Sequence, residues 1–149
     1  MKLKDLLNMK DFKYRGVVTV GSNETISAAI LKLVEHDRGA LPVCNDQGEL
    51  VGIITERDIV RKCLARSDAL AKIKIQDVMS KQVVVGNPED DLSYAINVMK
   101  EKRIRHIPIV DNQKMVTGMI SMRDLLGVQL EECKTEVRYL GDYISGGYI

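Results

Sequence analysis

Residues 17–60 read VVTVGSNETISAAILKLVEHDRGALPVCNDQGELVGIITERDIV, and residues 83–126 read VVVGNPEDDLSYAINVMKEKRIRHIPIVDNQKMVTGMISMRDLL. Laid over one another without a gap, at an offset of 66, the two stretches are identical at 12 of 44 positions. The identities include Val17/Val83, Ala29/Ala95, Pro42/Pro108, Gly52/Gly118, Arg57/Arg123 and Asp58/Asp124, and further pairs such as Ile26/Leu92, Leu33/Met99 and Leu41/Ile107 match apolar with apolar. Upstream, Lys2–Leu7 resembles Lys74–Met79 at an offset of 72, so the first copy carries six extra residues in its Asn8–Gly16 loop. Self-similarity at a fixed spacing marks two supersecondary units, each completing its core against the other.

Each copy reads β-α-β-β-α. The β-branched runs Val17–Val20 and Val83–Val85 predict strands. Thr25 and Asp91 are candidate N-caps. They open helices with apolar residues at Ile26, Ala29, Ile30, Leu33 and Val34, and at Leu92, Ala95, Ile96 and Met99, a single stripe at helical spacing. Strands follow at Ala40–Cys44 and His106–Val110, then turns rich in Asn, Asp and Gln, then strands at Leu50–Ile54 and Val116–Ile120. A second helix starts after Thr55 and after Ser121. The fold class is α+β, with two pseudo-symmetric repeats sharing a core: residues 1–66, residues 67–128, and a C-terminal helix and tail over 129–149. Ala65–Ile73 links the copies, and Ser145-Gly146-Gly147 should fray. Leu126, Leu130, Cys133, Val137, Leu140 and Ile144 follow a heptad-like 4-3-4-3-4 spacing. That seam suits either packing on the domain itself or a dimer contact.

Composition narrows the function. Twenty-two basic and 21 acidic residues leave a formal charge of +1, which argues against a chain built to neutralise nucleic-acid phosphates or anionic lipid. Aromatic residues are 4%, so the core is aliphatic and a base-stacking platform is excluded. Cys44, Cys63 and Cys133 are odd in number and form no C-x-x-C, which disfavours a disulfide scaffold or a zinc site and suits a reducing, cytoplasmic setting. The opening MKLKDLLNMKDF is too polar for a signal peptide, and no apolar run approaches the roughly 20 residues of a membrane span.

Chemistry concentrates at two places in each copy. The hairpin-to-helix junctions read Gly52-Ile53-Ile54-Thr55-Glu56-Arg57-Asp58 and Gly118-Met119-Ile120-Ser121-Met122-Arg123-Asp124. Thr55 and Ser121 suit N-caps, with Asp58 and Asp124 completing a capping box. The same hydroxyl and carboxylate, one turn apart at a helix N-terminus, can instead hold ribose hydroxyls and a phosphate, and a Gly before them would let a ligand approach the backbone. Before each Pro, the second copy has Arg103-Ile104-Arg105-His106-Ile107-Pro108 and the first has Asp37-Arg38-Gly39-Ala40-Leu41-Pro42. The cations either complement a helix end or clamp a phosphate through Arg105 and His106. No nucleophile elbow, P-loop or H-E-x-x-H occurs, so no enzyme activity is expected.

These segments resemble a tandem pair of cystathionine-β-synthase (CBS) domains, a Bateman module, over nearly all of residues 2–128. The resemblance implies two clefts between the repeats, holding an adenine nucleotide (AMP, ADP or ATP) or NAD or S-adenosylmethionine. By matching position, Asp58 and Asp124 would hold ribose hydroxyls, with Thr55 and Ser121 beside the ribose or phosphate. Backbone at Val17–Thr19 and Val83–Val85 would meet adenine. Arg105 and His106 would meet phosphate, with Arg57 and Arg123 as weaker candidates; the first copy keeps only Arg38, displaced by one position, for a weaker clamp. Ala40, Pro42 and Pro108 complete the candidate set. Because Gly39-Ala40 replaces Arg105-His106, the second copy's cleft should be the tighter for phosphorylated ligands. The Phe12–Arg15 region either closes over the first cleft or lengthens a loop. The resemblance also implies a homodimer signalling to a protein partner in trans. The alternative is a dimeric scaffold with degenerate clefts.

Overall fold

The structure is a computed structural model that describes residues 1–64 and 69–144, the side chains of Tyr14, Tyr139 and residues 142–144 excepted. The tail Ser145-Gly146-Gly147 and residues 65–68 of the expected link lie outside the described residues. Short helices α1 (Leu3–Leu7) and α2 (Lys10–Arg15) precede β1 (Val20–Gly21), α3 (Ile26–Glu35), β2 (Ala40–Cys44) and β3 (Leu50–Thr55). Helix α4 (Glu56–Asp58) runs into a π-helical turn, Ile59–Cys63. The second copy opens with a 3-10 turn, Ile75–Asp77, and continues with α5 (Leu92–Lys102), β4 (His106–Val110), β5 (Val116–Ser121) and α6 (Met122–Ile144).

The mixed α+β class and both hairpins follow the repeat. Ala40 pairs with Thr55 and His106 with Ser121, and the register shifts at Val43/Cys44 and again at Ile109/Val110, the same repeat position. The first strands differ from expectation. Pairing begins only at Val20, parallel to Val43, and in the second copy shrinks to one bridge between Gly86 and Ile109. Val17 and Val85 stay about half exposed, outside any ladder. Thr25 caps α3, its hydroxyl accepting from Ala28 N–H at 3.2 Å. Asp91 holds the N-cap position of α5, but its side chain makes no capping bond. Val34, expected in the buried stripe, is 74% exposed, because Ile26, Ala29 and Leu33 already fill the face that meets the sheet.

The two cores do not follow chain order. The first gathers Ile26, Leu33, Val43 and Ile54 of the first copy with Ile73, Ile75 and Val78, which open the second. The other gathers Met99, Ile107, Ile109 and Ile120 with Leu3 and Leu6, which open the first. Each copy therefore lends its opening segment to the other. Backbone bonds repeat the exchange: Leu3 N–H donates to Asp90 O and Lys4 N–H to Pro88 O, both at 2.9 Å. Their counterparts run from Ile75 N–H to Glu24 O and from Gln76 N–H to Ser22 O, at 2.9 and 3.0 Å. Each exchanged Leu or Ile removes apolar surface worth about 1.5–3 kcal/mol from water.

This exchange explains the two junction glycines. A Cβ at Gly52 would lie 2.5 Å from Met79 Sδ and 3.0 Å from Ser80 O, and one at Gly118 would lie 2.6 Å from Leu7 Cδ2. Leu7 and Met79 are equivalent residues of the two opening segments. The glycines thus make room for a borrowed side chain; Gly118 also lines a cavity between the copies, whereas Gly52 is closed by Met79 and the Ser80 backbone, unlike the expectation that it admits a ligand. Gly52→Ala should destabilise by about 1–3 kcal/mol through overpacking. Gly118→Ala should cost less, because the methyl end of Leu7 yields more easily than the Ser80 backbone. Urea unfolding of the two variants checks the ranking.

Candidate functional site

One cleft runs between the copies as two joined cavities. The narrow one, about 240 Å³, is lined by Val17, Val18 and Pro42 of the first copy and Thr117–Met119 of the second. The wide one, about 940 Å³, is lined by Arg105, His106, Ser121, Arg123 and Asp124 together with Asp37 and Gly39. Phe12, Arg15, Arg38, Ala40 and Met119 border both. Candidates from both copies therefore meet: Val17, Arg38, Ala40 and Pro42 face Arg105, His106, Ser121, Arg123 and Asp124. Thr19, Thr55, Arg57, Asp58, Val83, Val85 and Pro108 line neither cavity. All but Thr19 sit where the repeat offset carries residues of this cleft or their neighbours. Thr19 is hydrogen-bonded with Cys44, whose thiol is pushed up by burial.

Local folding aims the carboxylates. Ser121 N–H donates to Asp124 Oδ2 at 2.9 Å, and Asp124 N–H donates to Ser121 Oγ at 3.1 Å. Thr55 and Asp58 repeat this reciprocal box at 3.1 and 3.0 Å. Capping therefore occupies one carboxylate oxygen and leaves Oδ1. At Asp124, Oδ1 meets Arg15 Nη2 at 3.3 Å; at Asp58 it meets Lys62 Nζ, on the same helix, at 3.4 Å. The capping and ligand-holding interpretations of these residues are compatible, since they use different oxygens.

The cations are arranged unevenly. Lys102 and Arg103 are exposed at the end of α5 and line neither cavity. Burial pushes the His106 imidazole below the ordinary histidine range, against the pull of Asp124 and Glu56 and with a further push from Arg105. Near neutral pH His106 is an uncharged donor-acceptor, not part of a compact cation. It packs on the first copy at Gly39, where a Cβ would stand 3.4 Å from its Cε1 and Nε2. The cleft carrying Asp124 is thus not the second copy's own: Val17, Val18 and Pro42 of its wall belong to the first.

Sequence reasoning singled out the Phe12–Arg15 insertion without deciding its position. It forms α2 and borders both cavities, with the Arg15 guanidinium 4.2 Å from the Phe12 ring centre. Arg15 itself was not foreseen, because its partner Asp124 lies 109 residues away and only the exchanged opening segment brings them together. Among the described residues no cluster of His, Cys, Asp or Glu could hold a metal ion, and no helix is long and apolar enough to cross a membrane.

The CBS domain family model matches residues 9–65 and 75–131, and the chain belongs to this family. It is 34% identical over 131 residues to the CBS domain-containing protein CBSX3, mitochondrial, of Arabidopsis thaliana. That match covers 85% of this chain and 63% of the relative, so the chain spans less than two thirds of that protein. A CBS-domain structure from Burkholderia ambifaria MC40-6 superposes with a TM-score of 0.80 at 28% identity, covering 88% of this chain and 95% of that one. The CBS domain pair of protein MJ0100, in complex with 5′-methylthioadenosine and S-adenosyl-L-methionine, superposes with a TM-score of 0.76 at 27% identity, covering 89% and 98%.

The depressed imidazole generates a pH prediction. The unfolded chain takes up a proton on His106 near the ordinary value of 6.5, while the folded state resists it. Stability from this residue is therefore full above that pH and falls as the pH drops through it toward the depressed folded value. His106→Gln should flatten the slope of urea stability between about pH 7.5 and 5.

Proposed function

We propose that the cleft binds an adenine-bearing ligand and that the chain is a regulatory module, without catalysis of its own, whose occupancy is read by a partner. The observation that carries this reading is the division of labour at Asp124: Oδ2 closes the cap, while Oδ1 is left to Arg15, on a wide cavity that shares Arg15 and Ala40 with the narrow one walled by Val17, Val18 and Pro42. A carboxylate oxygen near a slot with one apolar wall and cations at its corner suits a ribose attached to a flat base. The ligands of the MJ0100 domain pair, both adenosine derivatives, support the class. AMP, ADP, ATP and NAD share the same adenosine moiety and belong to the same reading, as does a reducing, cytoplasmic setting. Signalling requires that ligand bind one arrangement of the two copies better than another.

Asp124→Ala should weaken adenosine-ligand binding by about 10- to 100-fold, the loss expected for hydrogen bonds to a charged group. It should also cost about 1 kcal/mol of stability through the lost cap. Calorimetry with AMP, ATP, NAD and S-adenosylmethionine, paired with thermal unfolding, separates the two effects. Lost stability with unchanged affinity would restore a purely capping role.

A second reading, a dimeric scaffold, is favoured by α6. Leu126, Leu130, Val137 and Leu140 are each more than half exposed, and Cys133 between them is exposed as well. A second copy of α6 packed along this seam would give the expected homodimer, and sensor and scaffold roles can coexist on it. Leu130→Asp combined with Val137→Asp should convert dimer to monomer in sedimentation while nucleotide affinity persists. A monomeric parent protein would remove the dimer.

A further inference from the structure

Arg15 belongs to the insertion that only the first copy carries. Its Nη2 pairs with Asp124 Oδ1 at 3.3 Å, and Asp124 is largely shielded, at 16% side-chain exposure. Its guanidinium lies over Phe12, and its carbonyl accepts from Arg38 Nη2 at 3.4 Å. Arg38 thus brings a second guanidinium to the same corner, and its Nε is buried with no hydrogen-bond partner. Burial, and then the Arg15 charge, hold Arg38 below the ordinary arginine range, while Asp124 and Asp37 work the other way. Lys13 adds a third cation to the narrow cavity, which no carboxylate lines. The acids Asp11, Asp37, Glu131 and Glu132 line the wide cavity instead. At the matching position of the first copy, Asp58 is met instead by Lys62 from its own helix.

A ribose hydroxyl that binds Asp124 Oδ1 competes with Arg15 for that oxygen and weakens the 3.3 Å pair. What happens next depends on the 5′ substituent. A neutral thioether leaves the Arg15 charge without its carboxylate beside Arg38. A sulfonium adds another positive charge to the corner. A 5′-phosphate offers both guanidinium groups an anion, with the forked geometry that suits arginine. We infer that Arg15 is a specificity-determining residue: released from Asp124 by the ribose, it passes to the phosphate, so the cleft selects 5′-phosphorylated adenine nucleosides over neutral or cationic ones. This inference rests on the adenosine-ligand reading above and names the subclass of ligand.

Calorimetric titration of the wild type, Arg15→Gln and Arg15→Lys with AMP and with 5′-methylthioadenosine tests it. The wild type should favour AMP. Arg15→Gln should bind AMP more weakly and 5′-methylthioadenosine more tightly, lowering the ratio of affinities by about tenfold or more. Arg15→Lys, which keeps the charge, should retain most of the ratio. Equal weakening of both ligands, as a merely structural role of α2 would produce, overturns the inference. So does a ratio unchanged to within about twofold when both ligands bind. Either result leaves the adenosine-ligand reading standing. If no variant binds either ligand, that reading falls and the inference falls with it.

Discussion

The whole arrangement depends on two borrowed side chains. Leu7 sits over Gly118 and Met79 over Gly52, each so close that even a methyl group on the glycine would collide. These contacts oblige the opening segment of each copy to lie on the sheet of the other. They also decide what the cleft contains. With α1 seated on the second copy, the chain must travel back to β1 of the first, and the six extra residues of α2 lie across the gap. The walls of the cleft come from both copies for the same reason.

The constraint also explains why one motif serves structure and ligand without conflict. A helix beginning directly from a strand has unpaired N–H groups to satisfy. Ser121 and Asp124, like Thr55 and Asp58, satisfy them reciprocally, and an aspartate does so with a single oxygen. The other oxygen is left for a cation. In the first copy a lysine one turn along the same helix meets it. In the second, an arginine from a distant insertion meets it. Nearly identical local motifs thus have different electrostatic partners, and the pseudo-symmetry of the backbone does not extend to the charges. A net charge of +1 conceals a corner with three cations and a wide cavity bordered by four other acids besides Asp124.

Much of this was legible in the residues. The offset of 66, the alternation of strand and helix patterns and the paired G-h-h-[ST]-x-R-D junctions predicted the two hairpins, the helix starts and the meeting of candidates from both copies. Three local expectations were revised for physical reasons. Val17–Val20 and Val83–Val85 look like strands by composition, yet pairing requires a neighbour in register, which only Val20–Gly21 and Gly86 have. His106 looks like part of a cation in sequence, but burial keeps it neutral. Gly52 looks like an opening for a ligand, but Met79 from the other copy fills it.

By itself the sequence determined the repeat, the α+β class, the caps and the residue types available for a ligand, because all of these follow from short-range periodicity and stereochemistry. Only the tertiary structure decided which copy each opening segment completes, that Val17 and Pro42 share a cleft with Asp124, and that Arg15 guards the carboxylate. Those relations join residues about 25 to 110 positions apart in the chain, and no local pattern encodes which of two similar sheets a strand-opening segment will choose. Close packing makes that choice, through a glycine with room for one particular side chain.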